Sequence, residues 1–318
     1  MGRIMQDSVL VTGGVGFIGS HLVKRLVEKG LSVVVPYREI DPRSVFVQNE
    51  LGKKTIAMEL DITQEKELSD LIQKYEVSHV FHLAAQTLVT TAYDHPVETV
   101  KDNVMGTASV LEAVRQNPSV RGVIVASSDK AYGKTQTAYT ESTALLGDHP
   151  YDASKASADL LSQAYYRTYK MPVVVTRFGN VYGEGDLHFD RLIPGICKAI
   201  IDKKMFEIRS DGTYVRDYLY VQDVIDGYLT LLDHIDGIHG QAYNFSSSDT
   251  LSVLDLIGVI EKTLGEKIQY EIRNNAKNEI PYQHLDDAKI KKLGWESKYR
   301  LENTIGDILS WYQKVLSS

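Results

Sequence analysis

Near the start of this 318-residue chain an apolar run, Val9–Thr12, passes directly into Gly13-Gly14-Val15-Gly16-Phe17-Ile18-Gly19 and then into an amphipathic stretch. Few sequence features restrict a fold as tightly. Gly13, Gly16 and Gly19 stand three residues apart between a predicted strand and a predicted helix. The first glycine permits a tight turn, the second lets backbone approach a pyrophosphate, and the third lets the helix pack on the strand. The helix N-terminus then offers free N–H groups and partial positive charge to phosphate. This is the start of a βαβ dinucleotide-binding unit, with Gly13, Gly16, Phe17, Ile18 and Gly19 as expected cofactor contacts.

The rhythm downstream agrees. Short apolar runs at Leu31–Pro36, Thr55–Leu60, His79–Leu83, Arg121–Ser127 and Val173–Phe178 alternate with helical stretches at Gly16–Lys29, Gln64–Tyr75, Asp94–Arg115 and Tyr151–Tyr169. Such runs, separated by helices, imply parallel strands joined by crossovers and buried on both faces. The expected fold class is α/β, a doubly wound parallel (Rossmann) sheet. After Gly179 the rhythm breaks. Residues 180–191 read as a Gly- and Asp-rich loop and Leu192–Lys203 as a helix. Short strands (Phe206–Arg209, Tyr218–Tyr220, Tyr243–Phe245) then mix with helices (Val221–Leu232, Leu251–Leu264, Thr304–Val315). The expected organisation is a dinucleotide-binding domain over residues 1–180, to which 221–247 return, and a smaller α/β C-terminal substrate-binding lobe made of 181–220 and 248–318.

Composition narrows the partners. A net charge of -7 argues against nucleic acid, whose phosphates need clustered Lys and Arg. No stretch of 18 apolar residues is present, so no membrane span is expected. Cys197 is the only cysteine, which excludes a disulfide within the chain and fits a reducing compartment. The opening MGRIMQDSVLVTGG runs straight into the first strand, and Ile4-Met5-Gln6 lacks the Ser or Thr of a myristoylation site. The expectation is a cytoplasmic protein without a leader. No spacing of His, Cys and Asp suggests a metal site.

If the dinucleotide is NAD, the next strand should end in an acid that holds the ribose 2′-hydroxyl. Leu31–Pro36 is followed instead by Tyr37-Arg38, and the first acid is Glu39. A guanidinium suits a 2′-phosphate, so the sequence favours NADP. An arginine lying over a bound NAD is the alternative.

Two segments could carry chemistry. Arg121–Ser127 leads into Ser128-Asp129-Lys130, at the carboxyl end of a strand, where doubly wound sheets bind ligands. Tyr151-Asp-Ala-Ser-Lys155 opens a helix, and residues four apart share one helix face. An ordinary Tyr has a pKa of about 10 and is a poor base at neutral pH. A nearby ammonium and an oxidised nicotinamide would favour its phenolate. Ser128 could hydrogen-bond the same substrate hydroxyl.

Several motifs together resemble the extended short-chain dehydrogenase/reductase family, in its nucleotide-sugar epimerase and dehydratase branch. They are Thr12–Gly19, His82-Leu-Ala-Ala-Gln86, Asn103-Val-Met-Gly-Thr107, Ser127-Ser128, Tyr151-x-x-x-Lys155, Arg177-Phe-Gly-Asn-Val-Tyr-Gly183 and Arg216-Asp-Tyr-Leu-Tyr-Val221, in order over most of the chain. The resemblance implies that Tyr151 is the base at a sugar hydroxyl, Ser128 its partner, and Lys155 the holder of the nicotinamide ribose. It further implies that Asp61, Ile62, Leu83, Ala84 and Ala85 line the cofactor. Gln86, Asn180, Arg191, Arg209 and Arg216 would face a nucleotide-diphosphate sugar, Arg209 (with Arg273) by position and charge. It also implies a homodimer, through the helices Asp94–Arg115 and Tyr151–Tyr169.

Asp129-Lys130 bears on the reaction. Family epimerases usually carry small or uncharged residues just after the catalytic Ser or Thr, whereas 4,6-dehydratases carry an acid and a base. Asp-Lys here, with Gly183-Glu-Gly-Asp-Leu-His-Phe-Asp-Arg-Leu-Ile-Pro194, resembles the CDP-glucose 4,6-dehydratase group. By that analogy Asp129 is the acid and Lys130 the base at sugar C5. Bare electrostatics suggests the opposite, since an Asp beside an ammonium stays ionised. The alternatives are a 4-epimerase in which Asp129 and Lys130 are a solvated turn pair, and a non-enzymatic NADP-binding sensor.

Overall fold

The computed structural model describes residues 7–275 and 280–317. The first six residues, which bear on the leader and acylation expectations, lie outside the described residues. Among the described residues twelve strands run in chain order as β1 (Ser8–Thr12), β2 (Ser32–Tyr37), β3 (Ile56–Glu59), β4 (Val77–His82), β5 (Gly122–Ala126), β6 (Val173–Phe178), β7 (Asn180–Tyr182), β8 (Phe206–Ile208), β9 (Val215–Tyr220), β10 (Ala242–Phe245), β11 (Thr250–Ser252) and β12 (Tyr270–Ile272). Seven form one parallel sheet in the order β10-β6-β5-β4-β1-β2-β3. The fold is Rossmann-like α/β. All five residues of β1 are buried, because helices cover both faces of the sheet. Strand order reverses between β1 and β4, and ligands bind at such a switch point, outside the carboxyl ends of the strands.

Beyond β6 a three-stranded sheet forms in the order β11-β9-β7, and β12 pairs with β8. The described residues of this part enclose a separate core of Ile193, Ile196, Ile257, Ile260, Ile305 and Ile308, among others. β10 pairs with β6 in the first sheet, Ala242 opposite Val175. The chain thus crosses between the two sheets more than once.

Two local expectations change. Residues 180–182, expected in a loop, are β7, which pairs in parallel with β9, Asn180 opposite Tyr218. Three residues before a glycine carry too little periodicity to reveal a strand. The stretch expected as one helix over Asp94–Arg115 starts at Pro96, with His95 outside it at φ -129°, ψ 61°. Proline disfavours helical backbone in the residue before it. The helix then continues through a π-helical turn, Lys101–Met105, into Gly106–Arg115. Among the described residues no helix is long and apolar enough to cross a membrane.

Candidate active site

The glycine loop makes a cradle that side chains would fill. Gly13 has φ +70°, and a Cβ there would lie 2.7 Å from the backbone nitrogen of Ala84. A Cβ on Gly19 would lie 2.0 Å from the carbonyl oxygen of Gly13. Bare backbone is therefore required on both sides of the turn, and the Phe17–Glu28 helix starts where it points. This cradle floors a cleft of about 600 Å³, lined by every residue that the sequence assigns to the cofactor. The residues fit a dinucleotide: Gly13–Gly19 for the pyrophosphate, Asp61 and Ile62 at one end, Ala84, Ala85 and Lys155 at the other.

Arg38 also lines this cleft, but it is not available as the sequence supposed. Its Nη1 and Nη2 donate to the two carboxylate oxygens of Asp102 at 3.0 and 3.1 Å, and Asp61 lies 4.0 Å away. The π-helical turn carries Asp102. The guanidinium that argued for a 2′-phosphate is already neutralised, within a rim that also holds Glu39.

At the carboxyl ends of β5 and β6 the cleft adjoins a larger cavity of about 700 Å³. Ser127, Tyr151, Phe178 and Arg191 line both. Tyr151 stands at the start of the Pro150–Tyr169 helix, where its backbone N–H donates to Nδ1 of the capping His149 at 3.2 Å. Ser128 lies near enough to Tyr151 to favour its ionised form. The Ser128 Oγ donates to Asp129 Oδ1 at 3.0 Å and accepts from the Lys130 N–H at 3.2 Å. Lys155 donates Nζ to the Ala126 carbonyl at 2.7 Å, fixing the helix to the end of β5.

Burial governs the protonation of this cluster. It pushes Tyr151 up to about 12, opposed first by the positive charge of Arg191. Arg191, across the cavity, is a further cation that favours the phenolate. Burial brings Lys155 down to about 8, with Asp159 opposing. Asp129 is raised by burial, against the lowering influence of Lys130, Ser128 and Arg216. Asp152, also on the cavity wall, is raised by burial to about 7.

The pair Asp129 and Lys130 is not a solvated turn. Asp129 is 3% exposed. Between the two sits Gln283, whose Nε2 donates to Asp129 Oδ2 at 3.0 Å and whose Oε1 accepts from Lys130 Nζ at 3.1 Å. Gln283 comes from the C-terminal part of the chain, and only its neighbouring Tyr282-Gln-His-Leu-Asp286 stretch hints at it in the sequence.

Other expected substrate residues divide. Asn180, Arg191, Arg209 and Arg216 line the larger cavity. Arg191 is held by Asp186 at 3.0 Å and by the Thr87 hydroxyl at 2.9 Å. Arg209 donates to the Asp190 carbonyl at 3.3 Å, and Arg216 to the Val215 carbonyl at 2.8 Å. Gln86 lines neither cavity: its side chain donates to the Leu88 carbonyl and Thr99 hydroxyl and accepts from the Leu88 N–H. It is a loop brace here. Arg273 pairs on the surface with Glu207 at 2.8 Å and Glu271 at 3.0 Å, also away from both cavities. His188 lines the cofactor cleft.

A switch-point glycine cradle, a Tyr–Lys helix and a Ser-bearing strand end thus meet in one place. The model of the NAD dependent epimerase/dehydratase family matches residues 9–246. The chain belongs to that family. A trifunctional UDP-glucose 4,6-dehydratase/UDP-4-keto-6-deoxy-D-glucose 3,5-epimerase/UDP-4-keto-L-rhamnose-reductase of Arabidopsis thaliana is 32% identical over 98% of this chain and 48% of its own length. The chain therefore spans about half the length of that relative. CDP-glucose 4,6-dehydratase of Salmonella typhimurium is 30% identical, covering 96% of this chain and 90% of its own. Among solved structures, the UDP-glucuronic acid 4-epimerase of Bacillus cereus, in complex with UDP-glucuronic acid and NAD, superposes with a TM-score of 0.89 at 27% identity, over 97% of this chain and 99% of its own. DesIV, the dTDP-glucose 4,6-dehydratase of Streptomyces venezuelae with NAD bound, gives 0.86 at 27%, over 96% and 97%. Within the NAD-dependent epimerase/dehydratase family both reactions are thus represented among this chain's relatives. Both of the solved relatives named here hold NAD, and the Bacillus cereus enzyme holds a nucleotide sugar as well.

Proposed function

We propose that the chain is a nucleotide-glucose 4,6-dehydratase. The observation that carries this reading is the buried Asp129 beside Lys130, on the cavity wall next to Ser128 and Tyr151. A 4-epimerase has no use for a second acid–base pair, and burying a carboxyl is costly unless it acts or is paired. A nicotinamide dinucleotide held by Gly13–Gly19 and Lys155 would supply a reversible hydride acceptor, for hydride leaving sugar C4 and returning at C6.

Tyr151 accepts the proton of the sugar 4-hydroxyl, with Ser128 hydrogen-bonded to the same oxygen. Arg191 favours the phenolate, and burial opposes it. The resulting 4-ketone makes the C5 proton acidic. Lys130 removes that proton while Asp129 protonates the 6-hydroxyl, which leaves as water. The raised pKa of the buried Asp129 supports its role as acid, the assignment that the analogy gives. Lys130 returns its proton to C5, and the proton that Tyr151 took from the 4-hydroxyl is exchanged through solvent for the one Asp129 gave up, so Tyr151, Lys130 and Asp129 all end as they began. The sugar has lost one water, the cofactor is unchanged, and the product is a 4-keto-6-deoxy nucleotide sugar.

The cofactor we infer is NAD. Arg38 is bound by Asp102, and the solved relatives named above hold NAD. CDP-glucose is the first substrate to try, given the Asp-Lys pair. Exposed Tyr93, Val97, Val100 and Leu160 leave apolar surface on the residue 89–100 helices and on Pro150–Tyr169, which supports a homodimer packed there. The epimerase reading keeps one favouring observation, the likeness to the Bacillus cereus enzyme. Incubation with CDP-, dTDP-, UDP- and GDP-glucose decides. A 4-keto product, read by its absorbance in alkali, supports the dehydratase. A 4-epimer without a keto product overturns it.

A further inference from the structure

Gln283 lies in a segment that neither the glycine loop nor the Tyr–Lys helix would lead a reader to inspect. It is 1% exposed, 154 positions from Asp129 and 153 from Lys130. Its backbone N–H donates to the Val215 carbonyl at 3.1 Å, and Val215 donates back to Pro281 at 2.9 Å. Just beyond, Leu285 N–H donates to Asp217 Oδ2 at 2.9 Å, and His284 Nδ1 meets Asp217 Oδ1 at 2.8 Å. Tyr139 and Asp286 close the strap from the other side, Tyr139 N–H to the His284 carbonyl and Asp286 N–H to the Tyr139 carbonyl, each at 2.8 Å. Six consecutive residues are therefore stitched across the end of β9, and the amide they carry cannot drift.

An amide suits the place between these two groups, since it donates at one end and accepts at the other. Its N–H₂ donates to a carboxyl oxygen of Asp129 and its carbonyl accepts from the Lys130 amine. A swapped amide would put oxygen against oxygen and donor against donor. Among the described residues no ion pair joins Asp129 to Lys130 within 4.0 Å, although they are adjacent in sequence. A buried acid and an amine left to themselves would collapse into a mutual ion pair, each then spent on the other. Held apart by a neutral spacer, each keeps a free direction towards the cavity that both line.

We propose that Gln283 is a positioning residue for the elimination step: it spaces and aims Asp129 and Lys130 so that one reaches the sugar 6-hydroxyl and the other C5. The inference rests on the dehydratase reading. It implies that Gln283 acts on the loss of water and leaves the oxidation at C4, made by Tyr151 and Ser128, untouched. Misplacing a catalytic group by about 1 Å can cost on the order of 100-fold in rate.

The test uses the full chain, the wild type first, with NAD and CDP-, dTDP-, UDP- or GDP-glucose, whichever is turned over. Two signals are followed in one reaction, the absorbance of reduced nicotinamide and the 4-keto product in alkali. In Gln283→Met, similar in size but without the amide, reduced nicotinamide should form as fast as in the wild type and accumulate. Product formation should slow by about 100-fold. Gln283→Glu is the second variant, used also if the first does not fold. Its added carboxylate raises the pKa of both neighbours, so both limbs of the pH–rate profile should move to higher pH. Product formation within a few-fold of wild type and an unmoved profile would overturn the inference. So would an equal fall of both signals, which marks a merely structural residue. Wild type that makes a 4-epimer and no keto product overturns the dehydratase reading instead, and is seen before any variant is made.

Discussion

Two acid–base pairs lie near the ends of β5 and β6, one fully buried and one with its lysine only partly so, and the fold treats them differently. Arg177 and Asp159 meet directly, Nε to Oδ2 at 2.7 Å and Nη2 to Oδ1 at 3.0 Å. Arg177 also donates to the Tyr132 hydroxyl at 2.7 Å and to the Glu141 carbonyl at 3.1 Å. Asp129 and Lys130 are held apart by Gln283. In the first pair the charges are consumed by each other and by neighbours, on 1% and 0% exposed residues that line neither cavity. In the second, the groups face a cavity and are prevented from neutralising each other. A direct buried pair is a structural fixture, and a separated one is a reagent.

The largest effect should follow from breaking the direct pair. Arg177→Met leaves Asp159 buried and unpaired, and should cost about 3–5 kcal/mol of stability in a denaturant titration. A loss below about 1 kcal/mol would mean that Asp159 simply takes a proton and the pair is dispensable. On the reactive side, Tyr151→Phe should fold as the wild type and bind cofactor, but lose about 100- to 1,000-fold in turnover. Turnover within a few-fold of the wild type would mean that Tyr151 is not the base.

Lys155 is a buried charge of a third kind, with a carbonyl as its partner. Burial holds it at about 8, below its ordinary 10.5. Between those values the unfolded chain binds a proton that the folded chain does not, so stability should rise with pH across that window. The difference in unfolding free energy between wild type and Lys155→Met should therefore grow in favour of the wild type, by up to about 3 kcal/mol, from pH 8 to pH 10.5. A flat difference would mean that Lys155 stays charged.

The smallest effect concerns Arg38, an exposed pair with Asp102. Arg38→Ala should change NAD affinity by no more than about 5-fold, because exposed pairs contribute about 0–1 kcal/mol. Titration of the wild type should show NAD binding more tightly than NADP. The reverse order would restore the reading drawn from the sequence alone.

These contrasts also mark where the sequence was legible. The glycine loop and the Tyr151–Lys155 spacing are local patterns, and both appear where the periodicity put them. The parallel strands of the first sheet were readable too, because each is a short apolar run between helices. What escaped was set by distant partners. β7 exists through its pairing with β9. Arg38 reads as a phosphate ligand until Asp102, 64 positions away, claims it. Gln86 belongs to a family-like motif, yet Leu88 and Thr99 turn it away from the substrate cavity. Gln283 could not be assigned a role from its own stretch of sequence, since that role depends on two residues over 150 positions upstream.

The central claim is that hydride taken from sugar C4 is returned to C6 of the same molecule as water leaves. The most direct measurement is turnover of nucleotide glucose carrying deuterium at C4, with the product examined by NMR. A 4,6-dehydratase places the deuterium in the C6 methyl group of a 4-keto-6-deoxy sugar. Deuterium still on C4, in a product of inverted configuration, would contradict it and make the chain an epimerase.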